Sequence, residues 1–592
     1  MSTARTRRRS GNPAKPPKPI YRPAVWHRNH RYALTGIVGA TVLTLLAGVL
    51  GPSAVTLTLG PRKSYLPPWY VPAGHVHPNE WLVSIMIWSA IILGAIGLWI
   101  GLRALADGWK PKIKKLFGLG AALSLLTITV PPMTSADVLI YAAYGRLQAI
   151  GRNPYEITPA EVFRSQFDPV LRWTERPWQD TPSVYGPITS WTQLVANKLG
   201  GENMHDIVFW LQVFSVVPFI LACTGIVLLA RGDARRQARA VLLTIANPML
   251  IWAVVAGAHN DSLSVMFAVA GMLFMRKNAF LAGIGIGLAG CAKVTIGLWG
   301  LAMLWAYRRE PKKAALLCLG TAIPMGLAYV LWQPAAFLQA ALHNGGYVSV
   351  GSWANPIYRF LDVFMTGTHA KIVVGVICYA ALPVIAWMLS RTVPWSAAPG
   401  LPREADPERD PLTIAIRTAL VLSVAWLITS MYTLSWYDLM AWTPLAVLAA
   451  SKLDRIMLMR IAPLSLAYVP GRAIDVGPAL DFTASRIRDT VSPIVQFGVL
   501  LAVIMWWRKP EREELFPFRR EAPPARRPLP VLAAARTGQA KTGNGKDRGG
   551  DAGPIGQPIP TGRSRTRPRE VSVRVPPRPS GDQQNRRRPR SR

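Results

Sequence analysis

Cysteine is scarce. The 592 residues hold four, Cys223, Cys291, Cys318 and Cys378, each inside an apolar run and none in a C-x-x-C pair. That excludes a disulfide framework or a thiolate metal site and leaves small, buried side chains. Acid is scarce too: 31 Asp and Glu stand against 67 Lys and Arg, a net charge of +36. No Gly-rich phosphate loop, Ser-His-Asp grouping or D-x-D pair stands near the polar stretch described below. That argues against a nucleotide-sugar donor held through a metal, and no cofactor or metal is assigned. His75-x-His77 offers two ligands where zinc needs more, so it reads as a solvated loop. No internal repeat is visible.

What is abundant is apolar sequence in long runs. Hydrophobic residues make up 51 % of the chain and its mean hydropathy is +0.23. Apolar runs near 20 residues are membrane spans rather than core helices. Such runs fall at 32–51, 81–101, 117–130, 207–229, 240–256, 262–275, 279–291, 294–307, 314–332, 372–390, 412–431, 436–450, 456–469 and 490–507. They predict an all-α, polytopic membrane bundle of about fourteen spans over 32–507. A re-entrant pair among the shorter runs would change that number. The first run is long and lacks a clear A-x-A site, so it reads as an uncleaved span.

The charge excess sits mostly at the ends. Residues 1–31 carry nine basic groups and no acid, and 508–592 carry 22 basic and eight acidic groups. Both tails are Arg/Pro-rich low complexity and are expected to be disordered. Basic flanks stay on the cytoplasmic side and favour anionic lipid, so both termini are expected inside. No folded reader module accompanies them, so nucleic acid is not the expected partner. Three crossings then place 133–206 outside, with a second external loop over 333–370.

The stretch that organises the chain begins at Pro131-Pro132, which stop the preceding run because neither supplies a backbone N–H. In the helix that follows, Asp137, Tyr141, Tyr144 and Gln148 share one face. Val138, Leu139, Ala142 and Ile150 lie largely off it and could rest against lipid. A carboxylate with aromatic rings at the mouth of a membrane bundle suits work on a sugar hydroxyl. Thr134-x-x-Asp137 is equally a helix-capping pattern, favoured by the helix dipole.

The first external loop is long and aromatic. It holds Gly151-Arg152-Asn153-Pro154-Tyr155, Trp173, Trp178, Tyr185-Gly186-Pro187 and Trp191. The rings read either as an interfacial belt or as the lining of a sugar site. Arg146 and Arg152 match phosphate oxygens in bidentate fashion. Gly151 and Asn153-Pro154 also predict a plain tight turn. The second polar cluster is His259-Asn260-Asp261, between two apolar runs, with Lys293 in another. An Asp261–Lys293 ion pair would satisfy both charges; alternatively Lys293 or His259 meets the phosphate of a lipid-linked donor. Tyr437-Asp438 reads as a weaker cluster or a span boundary.

These motifs, together with Asn247-Pro248 and in this order, resemble the polyprenol-phosphate-mannose-dependent α-(1→6)-mannopyranosyltransferases of actinobacteria. These belong to the GT-C superfamily of multi-spanning glycosyltransferases. The likeness covers about 32–507 and leaves out both tails. It implies a GT-C fold at the cytoplasmic membrane and a β-linked mannosyl phosphopolyprenol donor. The implied acceptor is a growing α-(1→6)-mannan such as a lipomannan core. It implies Asp137 as catalytic base, although Asp137 follows the third span and not the first. Arg146, Arg152, Lys293 and His259 are then candidates for the donor phosphate. Tyr141, Tyr144, Asn153, Tyr155, Tyr185, Asn260 and Asp261 are candidates for sugar or acceptor. The rival readings are an arabinosyl or protein-mannosyl transferase using a similar donor, and a transporter or flippase of lipid-linked sugar. A transporter forms no new glycosidic bond.

Overall fold

The computed structural model describes residues 26–50, 59–71, 78–174, 178–336, 347–401, 406–470 and 476–508. Almost all of residues 1–31 and 508–592, together with His75 and His77, lie outside the described residues. Among the described residues there is no strand, so the all-α expectation holds. Each of the fourteen apolar runs contains a helix. Among the described residues, eight helices are long and apolar enough to cross a membrane, from His30–Val49 to Pro478–Arg508. Asp261–Phe274, Ala279–Ala292 and Val294–Ala306 are apolar but shorter.

The centre of the bundle is Ala234–Val255, whose apolar window is wholly buried. It is not one regular helix. Pro248 cannot donate a backbone hydrogen bond, and Asn247 caps the restart by accepting from Met249 N at 3.0 Å. The chain then widens into a π-turn over Ile251–Val255, a form common near functional sites. This break delivers His259, Asn260 and Asp261 to the end of the central rod.

Ion pairs join separate segments of the chain, and two of the three are buried. Arg239 grips both carboxylate oxygens of Asp454, at 2.6 and 2.7 Å. Arg276 does the same to Asp410, at 2.8 and 2.9 Å. Arg460 pairs with Asp438 and also donates to Thr433 Oγ1. Asp438 and Arg460 interrupt apolar runs and the other four charges border them, and each is satisfied by a partner from another segment.

The helix Asp137–Ala149 starts where expected, after Pro131-Pro132. Thr134 does not cap it; Ala136 holds the cap position without a side-chain bond, and Thr134 Oγ1 instead lies 3.3 Å from His259 Nε2. The lipid-facing expectation for its back face is overturned. Val138, Leu139 and Ala142 are buried, because Pro187–Gly200 and Met204–Leu229 pack over them. Ile150 is half-buried against the same cluster. Gly145 permits that approach: a Cβ there would overlap the Gln193 carbonyl and the Asn197 amide.

A Gly145→Ala variant is therefore expected to lose about 1–3 kcal/mol through overpacking, read as a lower melting temperature in detergent. Gly118 has open space where its Cβ would go, so Gly118→Ala should not lower it. Equal shifts in the two variants would remove close helix packing as the cause.

Candidate functional site

One cavity of about 350 Å³ brings together residues from both halves of the chain. Asp137, Tyr141, Tyr144, Tyr185 and Lys293 line its polar side. Trp178, Tyr347, Trp426, Tyr432, Trp436 and Tyr437 supply an aromatic wall. Rings with a polar edge and an apolar face suit the alternating hydroxyl and C–H surfaces of a sugar.

Asp137 stands in the first turn of its helix with its side chain 21 % exposed. Burial pushes its carboxyl up to about 6, against the lowering charge of Lys293 and the hydrogen bonds of Ser135 and Tyr141. It is thus not an ordinary aspartate; desolvation moves it toward the range of a general base working near neutrality. The Tyr141 hydroxyl donates to Asp137 Oδ2 at 3.4 Å and lies 3.2 Å from His259 Nδ1. Burial raises the Tyr141 hydroxyl well above its usual range, so it stays a neutral donor.

His259 is fully buried and does not line the cavity. Its ring stacks on Trp436 at 3.8 Å and 13°, so the indole stands between imidazole and any ligand. Burial first, and the Lys293 charge second, hold it well below the ordinary histidine value. The 3.7 Å approach of Nδ1 to Asp137 Oδ2 is accordingly a neutral contact and not an ion pair. With Tyr141 donating to Asp137, the hydrogen belongs on Nδ1, and Nε2 can accept from Thr134 or Ser135.

Lys293 forms the ion pair expected of it and also reaches the cavity. Its Nζ is 2.7 Å from Asp261 Oδ1, so the ion pair exists, and it also lines the cavity over the Tyr437 ring at 4.3 Å. Asp261 Oδ2 and both side-chain polar atoms of Asn260 are buried without a protein partner. Neither residue lines the cavity.

The remaining candidates lie elsewhere. Arg146 is held by Asp168 at 2.7 Å and Glu202 at 2.8 Å, which orients it away as a structural cation. Arg152 is exposed on the turn after its helix. Neither reaches the cavity wall. Asn153 accepts from Tyr155 N at 3.1 Å, the bland turn role. Tyr155 is fully buried outside the cavity lining and donates to the Tyr185 carbonyl at 2.9 Å, which helps position that neighbour. Tyr144 donates to the Thr181 carbonyl at 2.9 Å. Of the loop tryptophans, Trp178 reaches the cavity while Trp191 is exposed. Among the described residues no group of three or more His, Cys, Asp or Glu could hold a metal ion.

Trp436, Tyr432, Trp426 and Tyr347 were not anticipated as site residues. The only signal available was the density of aromatic residues around Ser435-Trp436-Tyr437-Asp438, and Asp438 itself serves Arg460.

Residues 33–309 match the family model described as α-(1→6)-mannopyranosyltransferase, N-terminal domain. The chain is 27 % identical over 220 residues to α-(1→6)-mannopyranosyltransferase A of Corynebacterium glutamicum, covering 34 % of this chain and 44 % of that protein. It is 26 % identical over 195 residues to α-(1→6)-mannopyranosyltransferase B of the same organism, covering 33 % and 29 %. It is 25 % identical over 280 residues to α-(1→6)-mannopyranosyltransferase A of Mycobacterium tuberculosis, covering 47 % and 52 %. The matches thus span about half the length of these relatives or less. No solved structure matches the chain. The resemblance drawn from the motifs is borne out over 33–309, which contains Asp137, Tyr185, His259 and Lys293. The later aromatic wall lies outside that segment.

Breaking the buried Asp261–Lys293 pair by Lys293→Met is expected to cost about 3–5 kcal/mol, since an uncompensated charge remains. Adding Asp261→Asn should recover much of the lost melting temperature. A single variant as stable as the parent would show that the pair carries no structural weight.

Proposed function

We propose that this chain, similar over residues 33–309 to α-(1→6)-mannopyranosyltransferases, is a membrane mannosyltransferase. It takes mannose from β-linked mannosyl phosphopolyprenol and adds it to the 6-hydroxyl of a growing α-(1→6)-mannan of lipomannan type. The reaction takes place on the outer face of the cytoplasmic membrane. The observation that carries this reading is Asp137: one carboxylate raised to about 6, in an aromatic cavity that also holds Lys293.

In the proposed step the acceptor O6 attacks the anomeric carbon from the face opposite the phosphate. The O6–C1 bond forms, the C1–O phosphate bond breaks, and its electron pair leaves with the polyprenyl phosphate. The O6 proton passes to Asp137. Attack from the opposite face turns a β-linked donor into an α-linked product. Lys293 faces the charge that grows on the departing phosphate, where water is partly excluded. Tyr141, pinned by His259, keeps the carboxylate aimed and donates to its Oδ2. Arg146 and Arg152 have no part in this step, because neither lines the cavity.

Asp137→Asn should keep donor binding and lose transfer by roughly 10² to 10⁴, measured with purified protein, labelled mannosyl phosphopolyprenol and a short mannan. Parent-like turnover would remove Asp137 as base. A product with another linkage or sugar would redirect the reading to a related transferase, and movement of lipid without a new glycosidic bond would redirect it to a transporter.

The base must be ionised to accept a proton. Activity should therefore rise as pH increases through about 6, the value to which burial lifts Asp137. A rate that stays flat from neutrality down to the ordinary aspartate range near 4 would contradict this assignment.

A further inference from the structure

Away from the cavity, one arrangement of charge is left unanswered by the protein. Trp99 lies on Glu80–Ala106, a helix long and apolar enough to cross a membrane. The ring's position in the sequence is roughly 10 Å short of that helix's end. Arg103, one turn further on, holds its guanidinium carbon 5.3 Å from the centre of the Trp99 ring. Arg455, from the helix Leu453–Leu466, holds its own 5.1 Å from the same ring. One indole thus gathers two cations from distant parts of the chain. The two guanidinium carbons are separated by no more than the sum of those distances.

Neither charge is neutralised. Both arginines are exposed, and among the described residues neither guanidinium makes an ion pair or a hydrogen bond to a protein group. Asp454, the chain neighbour of Arg455, already has both oxygens on Arg239. Asp107 is exposed and forms no ion pair with Arg103. Lys110, Lys112, Lys114 and Lys115 follow in sequence, all exposed, and strengthen the positive field. A long cationic side chain near the end of a span ordinarily extends toward water. Arg103 instead folds back against the preceding turn of its helix. An indole attracts a cation only weakly at an exposed site and cancels none of its charge. Two like charges held on one ring therefore call for an anion.

We propose that Arg103 and Arg455, gathered on Trp99, bind the phosphate of an anionic glycerophospholipid. A guanidinium presents paired N–H donors that match phosphate oxygens, which the point charge of a lysine does not. Tryptophan near the end of a span marks the membrane–water interface, the depth at which lipid phosphate lies. A diffuse basic surface attracts anionic lipid anywhere along it; a pair fixed on one ring selects a phosphate at one place. The site is separate from the cavity. None of its three residues lines that space, and Asp137 follows the far end of Ile113–Thr127, the helix these lysines lead into. The bound lipid joins Glu80–Ala106, within the segment similar to mannosyltransferases, to Leu453–Leu466, outside it. None of this depends on the reaction assigned to the cavity.

The test compares nanodiscs of phosphatidylcholine alone with nanodiscs that also contain phosphatidylglycerol. The parent protein should melt at a higher temperature in the second. Arg103→Gln combined with Arg455→Gln should match the parent in phosphatidylcholine and lose the rise. Lys112→Gln combined with Lys114→Gln removes the same charge from the neighbouring surface and should keep the rise. Native mass spectrometry from a neutral detergent gives a second measure. There the arginine variant should bind its first phosphatidylglycerol about tenfold more weakly than the parent, and the lysine variant should not. Equal losses in the two variants would overturn the site in favour of diffuse attraction. A parent that melts alike in both bilayers would overturn it as well. Inorganic phosphate that reproduces the rise in phosphatidylcholine nanodiscs would make the ligand a soluble anion and refute the lipid.

Discussion

A carboxylate removed from bulk water must find in the protein what water would have given it. Asp137 is in that position. Burial lifts its carboxyl toward neutrality, while Lys293, Ser135 and Tyr141 pull the other way. Much of the surrounding architecture follows from that balance. The prolines at 131 and 132 end one helix so that another can start with Asp137 in its first turn. The broken central rod ends at His259, which lies 3.2 Å from the Tyr141 hydroxyl. Trp436 covers the imidazole and so keeps it dry and neutral. With fewer polar neighbours Asp137 would stay protonated and could accept nothing. With more charge beside it, it would be a weak base at ordinary aspartate strength.

Part of this was legible in the sequence because it is local. The Asp137, Tyr141, Tyr144 row follows from helical spacing alone, and the apolar runs announce their helices by composition. The Asp261–Lys293 pair was legible for another reason: two charges in adjacent apolar runs have few ways to be satisfied. What was not legible depends on segments far apart in the chain. Nothing near Arg146 in sequence says that Asp168 and Glu202 will claim it. Nothing near His259 says that an indole from residue 436 will seal it off from the cavity. The back face of the Asp137 helix looked suited to lipid for the same reason. Apolar side chains look alike whether lipid or another helix will cover them, and the cover came from 187–229.

The Arg–Asp pairs have a role beyond closing gaps. Arg239–Asp454 and Arg276–Asp410 join the segment that carries His259 and Asp261 to the segment that carries the later aromatic wall. Arg460–Asp438 holds the turn next to Trp436 and Tyr437. Such pairs contribute little net stability compared with apolar packing, but they are demanding about geometry, because a misplaced partner leaves a bare charge. They therefore register two halves of a cavity that packing alone could let slide. The halves differ in kind: the segment similar to known mannosyltransferases supplies the carboxylate and the lysine, and the rest supplies Tyr347, Trp426, Tyr432 and Trp436.

That division bears on how a single cavity could serve two very different molecules. Under the proposed reading, the glycan acceptor is wet and arrives from outside the bilayer, and the donor's isoprenoid chain is dry and arrives from within it. A site open only to water would strand the lipid, and one open only to lipid would exclude the glycan. Asp137 lies on a short helix following a loop-bounded stop, while Tyr379 lies at the middle of a spanning helix, and both line the same space. In the proposed reaction the reacting atoms meet between those two helices. Lys293 is the cation placed there, its charge half-committed to Asp261 at 2.7 Å. A phosphate reaching Lys293 therefore has to compete with a carboxylate already in contact. The lysine then holds the ground-state phosphate less tightly than a free cation would. In the proposed transfer it gains most from the phosphate when charge builds on it, and such a difference, more than tight binding, speeds a reaction.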